Sequence, residues 1–88
     1  MKVEFLPSLA KYVVELTSSV VKQRTIDLIR QVESASSIRQ IPQIKKLKGF
    51  TSAYRIRVGD YRVGIFVAQG TVQFARVKNR KEIYRSFP

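Results

Sequence analysis

The chain contains no cysteine and no histidine, and only six carboxylates against 17 basic residues. Without cysteine no disulfide can form, which fits a reducing compartment. The usual zinc sites, serine-histidine triads and thiol nucleophiles are excluded as well. The six Asp and Glu residues are scattered and give no cluster for magnesium. The four glycines are isolated, so there is no glycine-rich phosphate loop, and neither nucleotide hydrolysis nor a cofactor is expected. Apolar runs are only a few residues long, too short to span a bilayer, and the first residues lack the apolar stretch of a secretory signal. Together these absences predict a cytoplasmic protein whose chemistry, if any, uses Lys, Arg, Tyr or Ser.

What is present is positive charge, unevenly placed. Residues 1–44 hold six basic and four acidic residues, a balance of +2. Residues 45–88 hold eleven basic residues against Asp60 and Glu82, a balance of +9 out of the formal +11. A field of that sign concentrates polyanions and makes association salt-dependent, because each neutralised phosphate releases counterions. Nucleic acid, an acidic membrane surface and an acidic protein partner all satisfy it. A basic surface kept only for solubility is the plain alternative.

Eighty-eight residues, 44% of them hydrophobic, suit one domain with a single core, residues 1–88. Lys2 to Leu6 reads as a short edge strand ended by Pro7-Ser8. Leu9, Tyr12, Val13, Leu16 and Val20 recur at helical spacing, and after Thr17-Ser18-Ser19 a second helix carries Val21, Thr25, Leu28, Ile29, Val32 and Ala35 on one stripe. A connector with anchors at Ile38, Pro42 and Ile44 leads to the cationic run Lys45-Lys46-Leu47-Lys48-Gly49. Three strands follow at Ala53–Val58, Tyr61–Ala68 and Thr71–Val77, joined at Gly59-Asp60, a type II′ pair, and at Gln69-Gly70. A helical hairpin needs an apolar face to cover, and the meander supplies one. The expected fold is a two-layer α+β sandwich in the order β-α-α-β-β-β, with the first strand joining a mainly antiparallel sheet. Residues 85–88 are expected to form a short extra turn or a loose end.

The period of two puts Tyr54, Ile56 and Val58 on one face of the first meander strand and Arg55 and Arg57 on the other. In the next strand Tyr61, Val63, Ile65 and Val67 share a side and Arg62 lies opposite. Three arginines thus line one sheet face, a candidate phosphate site. The third strand breaks the rule, because strict alternation from Val72 and Phe74 would send Arg76 and Lys78 into the core. A bulge or strong twist near Ala75 is therefore expected.

The segment Leu47-Lys48-Gly49, then Tyr54 to Val63, then Arg80-Lys81-Glu82-Ile83-Tyr84 resembles the RelE/ParE superfamily, the toxin halves of bacterial and archaeal toxin-antitoxin operons. Length, helical hairpin and terminal meander agree with it. The resemblance implies one of two activities: RelE-like members cut messenger RNA in the ribosomal decoding site, and ParE-like members poison DNA gyrase. Carried over by motif, the RelE-like catalytic residues fall on Arg62, Lys78 and Tyr84. Arg55, Arg57 and Arg80 would bind RNA, and Lys45, Lys46 and Lys48 would form a cationic rim for RNA or for an acidic antitoxin.

RNA is cleaved without metal when its own 2′-oxygen attacks the adjacent phosphorus, which requires stabilising a dianionic phosphorane and moving two protons. Arginines supply the first, and the resemblance gives Lys78 the protonation of the leaving oxygen and Tyr84 the role of base or of stacking on a nucleobase, a core tyrosine closing the sheet being the plain alternative for Tyr84. The best-known RelE pattern has lysines where this chain has Arg55 and Arg57. Arginine clamps phosphate but is a poor base, so proton transfer shifts towards Tyr84. The expected partners are a cognate acidic antitoxin, the ribosome and messenger RNA. A gyrase inhibitor and a non-catalytic RNA-binding module remain open.

Overall fold

The computed structural model describes residues 1–9 and 19–87, residues 84–86 by backbone alone. Five strands form one sheet: β1 (Lys2–Phe5), β2 (Ile44–Lys46), β3 (Ala53–Val58), β4 (Tyr61–Ala68) and β5 (Thr71–Asn79). Their spatial order is β1-β5-β4-β3-β2, antiparallel throughout except for the parallel pair of β1 and β5. Two helices are α1 (Ser19–Ser34) and α2 (Arg80–Ser86). The expected α+β sandwich is present, with α1 packed against the sheet. The first helix of the expected hairpin, built on Tyr12, Val13 and Leu16, lies outside the described residues, apart from residues 7–9, which are helical. Val20, assigned by spacing to that helix, belongs to α1 and is exposed.

The stripe on α1 buries as its spacing predicts. Thr25, Leu28 and Val32 are buried, Val21 and Ile29 half-buried, and Ala35 closes the stripe just past the helix end. They pack on Ile56, Val58, Val63, Ile65, Val72, Phe74 and Val77, the apolar face of the meander. Val32, Val63, Ile65, Val72 and Phe74 have no exposed surface, so truncating any of them to Ala leaves a cavity worth about 2–5 kcal/mol for the larger side chains. The α1 C-terminus is capped from a distance. The Met1 ammonium donates to the carbonyls of Val32 (3.2 Å), Glu33 (3.0 Å) and Ala35 (2.6 Å), a cation set on the negative end of the helix dipole.

Three features depart from the sequence expectation. The connector is more ordered: Ile38–Gln40 forms a 3-10 turn, Ile41 is the buried anchor, and Pro42 is exposed. The lysine run contributes the strand β2, pairing Ile44 with Ile56 and Lys45 with Arg55, so the sheet has a fifth strand. The last described stretch is a helix through Ser86, longer than the short extra turn that was one of its two expected forms. Asn79 caps it, its side chain accepting from the Lys81 amide at 3.0 Å, and Glu82 sits in the first turn. Ile83 and Phe87 then pack with Ala53 and Ala75 on the second face of the sheet, which α2 covers in part.

Candidate RNA-binding face

The hairpin turns set which side chains share the second face. Gly59 has φ +59° and Asp60 a negative φ, the type II′ pattern, which pairs Val58 with Tyr61 and thereby Arg57 with Arg62. At the other turn Gln69 and Gly70 both have positive φ, the type I′ pattern, and pair Ala68 with Thr71. From there β5 would carry its arginine and lysine into the core, were it not for the bulge.

The expected bulge is present. Phe74 pairs with Ile65 but Arg76 pairs with Gly64, so Ala75 is the extra residue. Its carbonyl, displaced from the regular ladder, accepts a hydrogen bond from the Ser8 hydroxyl at 2.8 Å. Val77 returns to the core, 2% exposed, while Arg76 and Lys78 turn to the second face.

The outcome is two cross-strand rows. One runs Lys45, Arg55, Gly64, Arg76, and the other Arg57, Arg62, Lys78. Rows two residues apart along a strand are separated by about 6.8 Å, and four strands span about 14 Å. Six cations therefore share one face of a surface a few nucleotides wide. Gln43, Lys45, Arg55, Arg57 and Arg62 line a shallow groove of about 200 Å³ upon it.

Arg62 is held in place. One guanidinium nitrogen, Nη1, donates to the carbonyls of Gly59 and Tyr61, both at 2.9 Å, which leaves Nε and Nη2 for a ligand. The hairpin turn thus serves as a clamp for the arginine beside it. Arg57 is exposed and Arg55 half-buried, with Lys78 half-buried at the end of its row. Tyr54 and Tyr61 are half-buried against the main core, as expected.

Other expected residues fall differently. Lys45 belongs to the first row, but Lys46 pairs with Tyr54 and so points by register to the opposite face at the exposed sheet edge. Lys48 lies in the turn between β2 and β3. Arg80 is exposed at the start of α2, its amide bonded to the Asp60 carbonyl at 3.0 Å, next to the turn that clamps Arg62. The backbone of Tyr84 lies within α2, and its side chain is outside the described residues.

Sequence reasoning left two residues out. Arg76 joins the first row only because of the bulge, and the signal was the broken alternation itself. Gln43 lines the groove with φ +60°, its carbonyl accepting from the Arg57 amide at 3.1 Å. A left-handed glutamine after proline carries no sequence signal. Among the described residues no cluster of three or more metal-ligating side chains occurs.

No family model matches the chain. It is 38% identical to Toxin RelE3 of Methanocaldococcus jannaschii over an alignment of 89 positions that covers 100% of both chains. The fold superposes on the RelB-RelE antitoxin-toxin complex from Methanococcus jannaschii with a TM-score of 0.82 and 35% identity, covering 97% of this chain and 99% of that one. It also matches the archaeal RelE-RelB complex from Pyrococcus horikoshii, TM-score 0.72 and 24% identity, over 90% and 93% of the two chains. With a relative this similar along its whole length, and with the meander that its motif implied, the chain belongs to the RelE/ParE toxin superfamily, on the RelE-like branch.

Proposed function

We propose that this chain is the toxin of a RelBE-type toxin-antitoxin pair and blocks translation as an endoribonuclease that cuts messenger RNA on the ribosome. The observation that carries the reading is the row Arg57, Arg62, Lys78, three cations set side by side across three strands with Arg62 clamped by its own turn. Preorganised donors of this kind stabilise charge that develops during reaction without reorganising, and removing one typically costs about 10²–10³ in rate.

In the reaction the 2′-oxygen attacks the adjacent phosphorus while the bond to the 5′-oxygen breaks, leaving a 2′,3′-cyclic phosphate and a free 5′-hydroxyl. Arg62, with Arg57, binds the phosphorane oxygens. Lys78 supplies the proton to the leaving 5′-oxygen. Tyr84, carried by α2 beside this face, takes the proton from the 2′-hydroxyl. Arg55, Arg76 and Lys45 hold the neighbouring phosphate, with Arg80 and Lys48 as outer contacts, while Lys46, on the opposite face by register, takes no part. The antitoxin fits as an acidic segment over the same rows, because the chain has few carboxylates of its own to offset them.

The test is 5′-end mapping of messenger RNA in a bacterial translation reaction, with and without ribosomes, for the wild type and Arg62→Ala. Ribosome-dependent cuts within codons that vanish in the variant are the expected outcome. Uncut messenger RNA with impaired gyrase supercoiling would move the chain to the ParE-like activity, and toxicity surviving Arg62→Ala would remove the nuclease reading.

A further inference from the structure

The turn joining β2 and β3 does something the cationic rows do not require. Leu47-Lys48-Gly49-Phe50 forms a type II turn, with Gly49 at φ +82° and the Phe50 amide donating to the Leu47 carbonyl at 3.4 Å. The turn holds up the Phe50 ring, which is 49% exposed. Phe5 is also exposed, but it stacks on Phe74 at 5.8 Å. Among the described residues no other ring stacks on Phe50. An aromatic side chain exposed by half costs solvation free energy, and here the backbone is shaped to present it.

Its surroundings indicate what it meets. A hollow of about 270 Å³ is lined by the apolar residues Leu47, Phe50 and Phe87 and by the cationic residues Lys45, Lys46, Lys48 and Arg55. A second hollow of about 470 Å³ shares Leu47, Lys48 and Phe50, so the turn is open on two sides. Lys45 and Arg55 belong to the first cationic row, which makes the hollow continuous with the phosphate-binding face. A flat apolar ring at the edge of a cationic track is what an unpaired nucleobase requires, because every base has a π-face to stack and a phosphate to neutralise beside it.

We propose that Phe50 is a base-stacking subsite: it holds one unpaired base of the RNA strand whose phosphates lie on the cationic rows. The inference rests on the RNA-cleaving reading above and adds to it a residue that sets the strand's position. Phe50 stays a binding residue and takes no part in the chemistry. A competing occupant, an apolar side chain of the acidic antitoxin, makes a different prediction and is an outcome of the same test.

The probe is a fluorescein-labelled, 2′-O-methylated single-stranded 10-mer, which cannot be cleaved, and a series in which one position at a time is abasic. Affinity is read by anisotropy at low salt for the wild type, Phe50→Ala, Phe50→Trp and Arg57→Ala. Because Phe50 is exposed, the urea midpoint of Phe50→Ala should match the wild type. We expect Phe50→Ala to weaken binding on the order of 10- to 100-fold and Phe50→Trp to retain it. One abasic position should cost the wild type the same factor and cost Phe50→Ala nothing further, which identifies the stacked base. If Arg57→Ala weakens binding and Phe50→Ala does not, the subsite is refuted while the phosphate track stands. Loss of antitoxin affinity alone in Phe50→Ala also overturns it, in favour of the antitoxin side chain. A wild type that does not bind the oligomer removes the subsite, whereas the parent reading stands or falls on the Arg62→Ala cleavage map.

Discussion

Gly64→Ala should destabilise the protein, and the reason is a single aromatic ring. Gly64 is buried in the middle of the first cationic row, between Arg55 and Arg76, and its φ is not positive, so alanine fits the backbone. A Cβ placed there would lie 2.7 Å from Cγ of Phe87 and 2.8 Å from both Cδ atoms. To reach the 3.4 Å of ordinary contact the ring must shift by about 0.7 Å, in a site where it also packs on the Phe66 ring at a centroid distance of 5.1 Å. Overpacking of this kind costs about 1–3 kcal/mol. Against it, replacing a strand glycine with alanine restricts the unfolded chain and returns about 0.4–1 kcal/mol. The net expectation is a loss of about 0–2.6 kcal/mol, centred near 1.3 kcal/mol and read as the urea midpoint by circular dichroism. The same reasoning reverses the sign in a Phe87→Ala background, where no ring remains to be displaced and Gly64→Ala should be neutral or stabilising. Equal effects of Gly64→Ala in both backgrounds would refute the account, since the coupling between the two residues would then be zero.

Two further outcomes follow from the site. Asn79→Ala removes the side-chain acceptor of the Lys81 amide and should destabilise α2 by about 1 kcal/mol, seen as faster amide exchange in residues 81–83 while exchange in β3 and β4 is unchanged. Binding of single-stranded RNA should weaken with salt at a log-log slope between about −4, from the six row cations at about −0.7 each, and about −5.6 if Arg80 and Lys48 also engage, and Arg57→Ala should flatten it by about 0.7, measured by anisotropy titrations across salt concentrations.

The legible parts of the fold were those where a long local pattern repeats. The α1 stripe spans four turns, and a period of 3.6 over that length has no competing interpretation. The β3–β4 hairpin was equally plain, because Gly59-Asp60 fixes a two-residue turn and the turn fixes which residues pair. Shorter elements were lost. β2 has three residues, too few to show alternation, and its lysines read as a solvated rim. α2 carried its own signal, Asn79 three residues before Glu82, a capping pair masked by the surrounding basic residues. Its partner contact, Phe87 over Gly64, joins positions far apart in the chain and has no local signature.

The candidate site divides along the same line. The order of residues alone sets that the chain carries a cationic second half, that Arg55, Arg57 and Arg62 share a sheet face, and that β5 must break its alternation near Ala75. Each of these follows from charge, period and steric rules acting within a few residues. The fold as a whole settles that Arg76 and Lys78 complete the rows, that Lys46 turns away, and that Phe50 stands exposed beside them. Those outcomes depend on strand register and on the bulge, which are set by which non-local pairs bury the most apolar surface with every backbone group bonded, a global condition that no local stretch of sequence contains.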